Sequence, residues 1–226
     1  ILLGMAVPAT STLRDMYDAS EADIDIEVRG YQWKWQYTYL NDDPAQEIKF
    51  MSALATSQDE IYNKANKREH YLLDVDNPLV IPVDKRVRFL VTSNDVIHSW
   101  WVPDFAIKQD AIPGFVNTGW TQVNEPGIFR GQCTELCGQY HGYMPIVVEA
   151  VSPEEYKEFI IQKKEAKLQQ AALTEKLWTA EELMAMGEGV YQKNCVACHQ
   201  VNGEGLAPVF PALAGSDIVM NDKARQ

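Results

Sequence analysis

Cys133, Cys137, His141 and Met144 follow one another at spacings of four, four and three residues in a single stretch, C-T-E-L-C-G-Q-Y-H-G-Y-M-P. A second imidazole, His98, lies upstream after a strand-like run. Soft sulfur combined with imidazole is a ligand set for copper. A mononuclear blue-copper site uses one Cys, and this stretch offers two. Two thiolates so close suit a pair of copper ions bridged by both sulfurs. Sharing one charge over two metals halves the distortion at each, so the chemistry indicated is electron transfer. Gly138 and Gly142 permit the tight backbone path that folds the ligands round one point.

Another constellation stands further on. Cys195-Val196-Ala197-Cys198-His199 is C-x-x-C-H, the attachment pattern of a c-type haem. The two thiols add across the haem vinyl groups, and His199 reaches the iron from one side. Gly203, Gly205, Pro208 and Pro211 follow. The two motifs use all four cysteines, which leaves none for a disulfide framework. Two structural disulfides would leave His98, His141, Met144 and His199 unexplained.

The chain has 226 residues, room for one large or two small domains. Its net charge of −12 argues against nucleic acid as a partner and for a basic protein. Residues 1–7 are apolar and uncapped. They are too few to span a bilayer, which takes about 20 residues, and lack a basic signal-peptide start. They read as the last turns of a transmembrane helix, with Pro8, Thr10 and Ser11 marking the exit into water, so residues 1–20 form an exit segment.

The elements that must position the ligands follow from periodicity. Ile24, Ile26 and Val28 alternate with acids, and the phase shifts at Gly30, which suits a bulge. Tyr31, Trp33, Trp35, Tyr37 and Tyr39 then alternate with polar residues, again a strand pattern. Asn41-Asp42-Asp43-Pro44 ends the run as a turn. Residues 51–70 form a polar surface excursion, helical in part. Residues 79–83, 87–91, 120–123, 128–130 and 146–151 read as further strands. Short strands at regular intervals argue an antiparallel sandwich or barrel over residues 21–151. Ser93-Asn94-Asp95 breaks the pattern just before His98, which is expected to close the site from a separate loop.

Ser152 opens a helix with Pro153 at its first position, and residues 152–178 read as a solvated helix or linker. Thr179 and Glu182 form a capping box that starts a helix ending at Cys195. Only 27 residues follow His199, fewer than a small c-type cytochrome uses to enclose its porphyrin, so residues 179–226 read as a partial α-helical cytochrome c domain.

The run C-T-E-L-C-G-Q-Y-H-G-Y-M, with H-S-W-W-V-P upstream and D-A-I-P-G between, resembles subunit II of haem–copper cytochrome c oxidases from residue 1 to about residue 159. The C-x-x-C-H extension resembles the cytochrome c domain fused to that subunit in the caa3-type branch. The resemblance implies a mainly β chain: a cupredoxin-like Greek-key β-barrel, a helical linker and a small, truncated cytochrome c domain. It implies that Cys133 and Cys137 bridge the binuclear copper centre, Cu-A, and that His98 and His141 bind one copper each. Met144 is then a weak ligand to one copper and the Glu135 carbonyl to the other. The Glu135 side chain would bind magnesium or manganese at the boundary with subunit I, with Asp110 close by. Trp33 matches the position through which electrons enter from cytochrome c. Cys195 and Cys198 would hold haem c covalently and His199 would ligate its iron, the distal ligand being a Met beyond residue 226.

The resemblance further implies subunit I (haem a, haem a3 and Cu-B) and subunit III as partners, with cytochrome c or another redox protein as donor. It implies a bacterial inner membrane with the soluble domains on the periplasmic face, and oxygen reduction coupled to proton pumping in subunit I. Relatives that dock a separate cytochrome c tend to carry acids near the aromatic stretch and just before the first His ligand. Here Asp42, Asp43 and Asp95 qualify, whereas Lys34, Gln36, Thr38 and Asn94 do not; a tethered haem relaxes that need. Nitrous oxide reductase also uses such a copper domain, but it needs many more histidines than the four present. Quinol oxidases lack the ligand set found here. A membrane-tethered carrier without an oxidase partner is the alternative from another class.

Overall fold

A computed structural model describes residues 1–207 and 209–221 of the chain. Pro208, from the run after the haem motif, and the last five positions of the expected cytochrome c domain lie outside the described residues. The chain divides into two compact units, Ile1–Gln170 and Ala171–Gln226.

The first unit begins with helix α1, Leu2–Tyr17, whose side chains are exposed. The helix runs through Pro8 rather than ending there, because a proline in the second turn leaves only one early carbonyl without its N–H partner. No helix among the described residues is long and apolar enough to cross a membrane.

Ten strands then form two five-stranded sheets. The first has the order β3-β2-β1-β5-β8 and the second β4-β10-β9-β6-β7. The strands are β1 (Ile24–Tyr31), β2 (Lys34–Tyr39), β3 (Ile48–Ser52), β4 (Leu79–Pro82), β5 (Arg86–Ser93), β6 (His98–Val102), β7 (Ile107–Ala111), β8 (Asn117–Gln122), β9 (Gly127–Cys133) and β10 (Pro145–Val151). Alternating residues from both sheets, among them Ile26, Val28, Trp35, Phe89, Trp100, Ile146 and Val148, bury into one core. This is the cupredoxin-like β-fold.

Three features depart from the sequence reading. The sheets are mixed, not antiparallel: β1 pairs with β5 and β4 with β10 in parallel. Those partners are far apart in sequence or joined by long excursions, so no hairpin signal marks them. Gly30 is not a bulge. Its register is continuous, opposite Trp35 on one side and Ser93 on the other. Alternation breaks because Gln32 and Trp33 form a turn between two strands. Gly30 lacks a side chain for another reason: a Cβ there would lie 2.7 Å from His98 Cδ2. Finally, His98 is the first residue of β6 and not part of a loop.

The excursion is helical in part, as its composition suggests. Helix α2, Gln58–Ile61, is opened by a capping box between Ser57 and Glu60. Glu60 also receives Arg68 through both carboxylate oxygens, at 2.9 and 2.8 Å. Helix α3, Pro153–Glu175, starts at Ser152 with Glu155 closing the same kind of box. Its first turns lay Tyr156, Phe159 and Ile160 against the core, and Lys163 sits over the Phe50 ring.

In the second unit, helix α4, Ala180–Asn194, carries the expected Thr179–Glu182 capping box and delivers Cys195 at its end. The short helices α5 (Val196–His199) and α6 (Asp217–Asn221) follow. Tyr191 donates its hydroxyl to the Gln200 carbonyl at 2.6 Å, fastening α4 to the turn after the C-x-x-C-H motif.

Candidate metal centre

β9 ends at Cys133, β6 starts at His98, and β10 starts after Met144. These three neighbouring strands of one sheet deliver five side chains to one end of the barrel. Cys133 Sγ lies 3.8 Å from Cys137 Sγ and 3.9 Å from His98 Nδ1. Cys137 Sγ lies 3.4 Å from His141 Nδ1 and 3.6 Å from Met144 Sδ. The Glu135 carbonyl stands 3.4 Å from Cys133 Sγ. Every donor atom expected from the sequence thus converges on the two sulfurs. His98, Cys133 and Cys137 form a buried group whose donor atoms lie within 4.8 Å of one another.

The sulfurs are too far apart for a disulfide, whose S–S bond is about 2.05 Å, and close enough for shared ions to sit between them. Burial alone pushes the Cys133 thiol up. The His98 ring and the Ser99 backbone outweigh it, so that thiol titrates below its ordinary value. Burial pushes Cys137 up, and the neighbouring Cys133 charge pushes it further. The pair therefore gives up its first proton easily and its second with difficulty. Two divalent or mixed-valence cations supply the positive charge that the doubly ionised pair lacks, so the donor set fits copper.

The surroundings fix the ligands. His98 is fully buried, and its Nε2 donates to Asp95 Oδ1 at 2.9 Å, which leaves Nδ1 bare toward Cys133. Burial would lower the His98 pKa, but Cys133 and Asp95 together raise it. Burial would raise Asp95; hydrogen bonds from His98, Gln32 and Val96 hold its carboxyl low. Trp33 Nε1 donates to the Cys137 carbonyl at 3.1 Å, and its ring meets Tyr140 edge-on at 4.8 Å. Gly138, at φ +112°, leaves the room these side chains need: a Cβ there would approach Trp33 Cζ2 to 3.1 Å.

Three contributors escaped sequence reasoning. Trp35, fully buried, donates from Nε1 to the Met144 carbonyl at 3.2 Å and packs its ring against His98. Gln32 reaches the Cys137 carbonyl. Asp95, read from the sequence as a pattern breaker and a docking acid, holds His98. The aromatic alternation signals Trp35 as a core position; nothing local signals the other two roles. Glu135 is exposed at the loop tip, and Asp110 is partly exposed and pairs with Lys108 at 3.4 Å.

In the second unit, Cys195 and Cys198 are half-buried free thiols. His199 Nδ1 bonds the Pro211 carbonyl at 2.9 Å. A carbonyl only accepts, so Nδ1 carries the proton and Nε2 is left free as a ligand.

Residues 24–151 match the family described as cytochrome C oxidase subunit II, periplasmic domain. The chain belongs to the cytochrome c oxidase subunit II family. Residues 184–225 match the cytochrome c family, so this member carries a cytochrome c domain after its copper-type domain. The chain is 46% identical over 163 residues to a probable cytochrome c oxidase subunit 2 of Rickettsia bellii (strain RML369-C), covering 72% of this chain and 58% of the relative. It is 39% identical over 171 residues to cytochrome c oxidase subunit 2 of Cereibacter sphaeroides, covering 72% and 56%. The chain thus spans little more than half the length of these relatives. The crystal structure of the periplasmic domain of subunit II of cytochrome oxidase (CoxB) of Bradyrhizobium japonicum superposes with a TM-score of 0.57 at 37% identity, covering 66% of this chain and 98% of that one.

Proposed function

We propose that the chain accepts electrons for a membrane cytochrome c oxidase of the bacterial inner membrane, with both units on the periplasmic face. Electrons pass from cytochrome c to the haem bound at Cys195 and Cys198, then to a binuclear copper centre, then to haem a in subunit I. Oxygen reduction to water and proton pumping take place there, in a complex that also holds subunit III. The observation that carries this reading is the convergence of two thiols, two imidazoles, a thioether and a carbonyl in one cluster.

When bound, the copper pair supplies a one-electron couple. The protein's part is to hold the ligands still. Cys133 and Cys137 would be shared by the two ions, His98 and His141 would bind one ion each, and Met144 and the Glu135 carbonyl would complete the set. His98, Cys133, Cys137 and Met144 are buried, which excludes water from the sulfurs. Trp33 receives the electron at the surface, and its N–H hydrogen bond to the Cys137 carbonyl links that ring to a bridging residue. The exposed Glu135 carboxylate would bind magnesium or manganese against subunit I, with Asp110 near that boundary. His199, oriented by the Pro211 carbonyl, would ligate the haem iron.

The test is stopped-flow mixing of the copper- and haem-loaded chain with reduced cytochrome c. The haem band should reduce first and the thiolate–copper absorption should bleach after it. A copper band that never responds would overturn the reading.

A further inference from the structure

The turn between β1 and β2 touches both ligand-bearing segments at once. The Gln32 backbone N–H donates to Asp95 Oδ2 at 2.8 Å, and the other oxygen of that carboxylate receives His98 Nε2. The Gln32 side chain turns the opposite way and donates from Nε2 to the Cys137 carbonyl, also at 2.8 Å. Trp33 donates to the same carbonyl. That oxygen therefore has both lone pairs filled by donors from one turn. Gly138 is packed beneath them: a Cβ at that position would approach Gln32 Nε2 to 3.0 Å.

An exposed glutamine ordinarily keeps its rotamer freedom, and fixing it costs up to about 2 kcal/mol. Here its N–H groups are spent on two segments that lie 63 and 105 residues away in sequence. Both carry donors of the candidate centre. Fast electron transfer needs those donors to keep their places in both redox states. The Cys137–Gly138 peptide sits directly behind one bridging sulfur, so anchoring its carbonyl restrains that sulfur.

We infer that Gln32 is a positioning residue of the copper centre, clamping the Cys137 loop to the segment that holds His98. The inference rests on the proposed binuclear copper site.

The experiment compares the full copper-loaded chain with Gln32→Met, which keeps the side-chain length and removes the donor, and with Gln32→Ala. Copper loss to excess chelator and the low-temperature EPR spectrum are read for each. Gln139→Met, at an exposed position of the same loop, is the control. Both Gln32 variants should lose copper about fivefold faster, the equivalent of one hydrogen bond of about 1 kcal/mol. Their copper hyperfine splittings should differ from wild type, while the control matches it. A Gln32→Met spectrum that superimposes on the wild-type two-copper pattern overturns the inference, whatever the release rate, and leaves the proposed function standing. A wild-type spectrum with single-copper structure overturns both.

Discussion

At the scale of single residues, the candidate donor atoms that converge in the fold were legible because their chemistry is local. Four of them share one stretch of twelve residues, and thiols and imidazoles at that spacing have few other uses. The residues that hold the donors were not legible. Trp35, Asp95 and Gln32 act through contacts to positions that sequence distance hides: Trp35 meets Met144, 109 residues on. Trp33 lies between the two groups. Its type marks it in the sequence, and its bond to the Cys137 carbonyl appears only in the fold. Trp33→Phe keeps an aromatic ring and removes that bond. Electron transfer from donor to copper should slow about tenfold, or ~1.4 kcal/mol of barrier. Stopped-flow traces that match wild type would remove Trp33 from the path.

At the scale of elements, period-two alternation marked most of the strands, and turn residues marked their ends. It missed β3, β6 and β7. The last two flank the Pro103–Phe105 turn and carry Trp100, Trp101 and Asp110 without a clean alternation of apolar and polar residues. It also misread Gly30, whose meaning lies in the His98 ring packed against it. Gly30→Ala should push that ring off its contact with Asp95. The protein should still fold, and its copper should bind more weakly with an altered absorption spectrum; unchanged copper affinity would contradict the packing.

The Ser57–Arg68 excursion gives a pH prediction. The Arg68 guanidinium, with the Ser57 backbone N–H, holds the Glu60 carboxyl well below the usual carboxylate range. A depressed folded value stabilises the segment above the unfolded carboxylate value of about 4.3 and is lost only as pH falls through the lower one. The Glu60 carboxylate signal in a carbon NMR titration should therefore stay ionised at pH 4. Titration with the ordinary carboxylates would show that the clip is not formed in solution.

At the scale of the whole molecule, two motifs in order suggested two redox units; the chain divides into two compact units between residues 170 and 171. The family match, residues 24–151, takes in all ten strands of the β-unit, while the mixed sheets that build it came only from the structure. The reason is physical: parallel pairing between distant strands leaves no turn signal to read. Net charge is a property of this scale as well. At −12, the chain should attract a basic cytochrome c. Its reduction rate by such a donor should fall steadily as salt shortens the Debye length from about 10 Å at 0.1 M to about 3 Å at 1 M. A rate independent of salt would remove charge steering from the account.

The most direct measurement is a low-temperature EPR spectrum of the copper-loaded chain beside Cys137→Ser. The wild-type chain should give a hyperfine pattern from one electron shared by two equivalent copper nuclei, and the variant should lose it. A wild-type pattern from a single copper nucleus would contradict the paired-thiolate centre at Cys133 and Cys137.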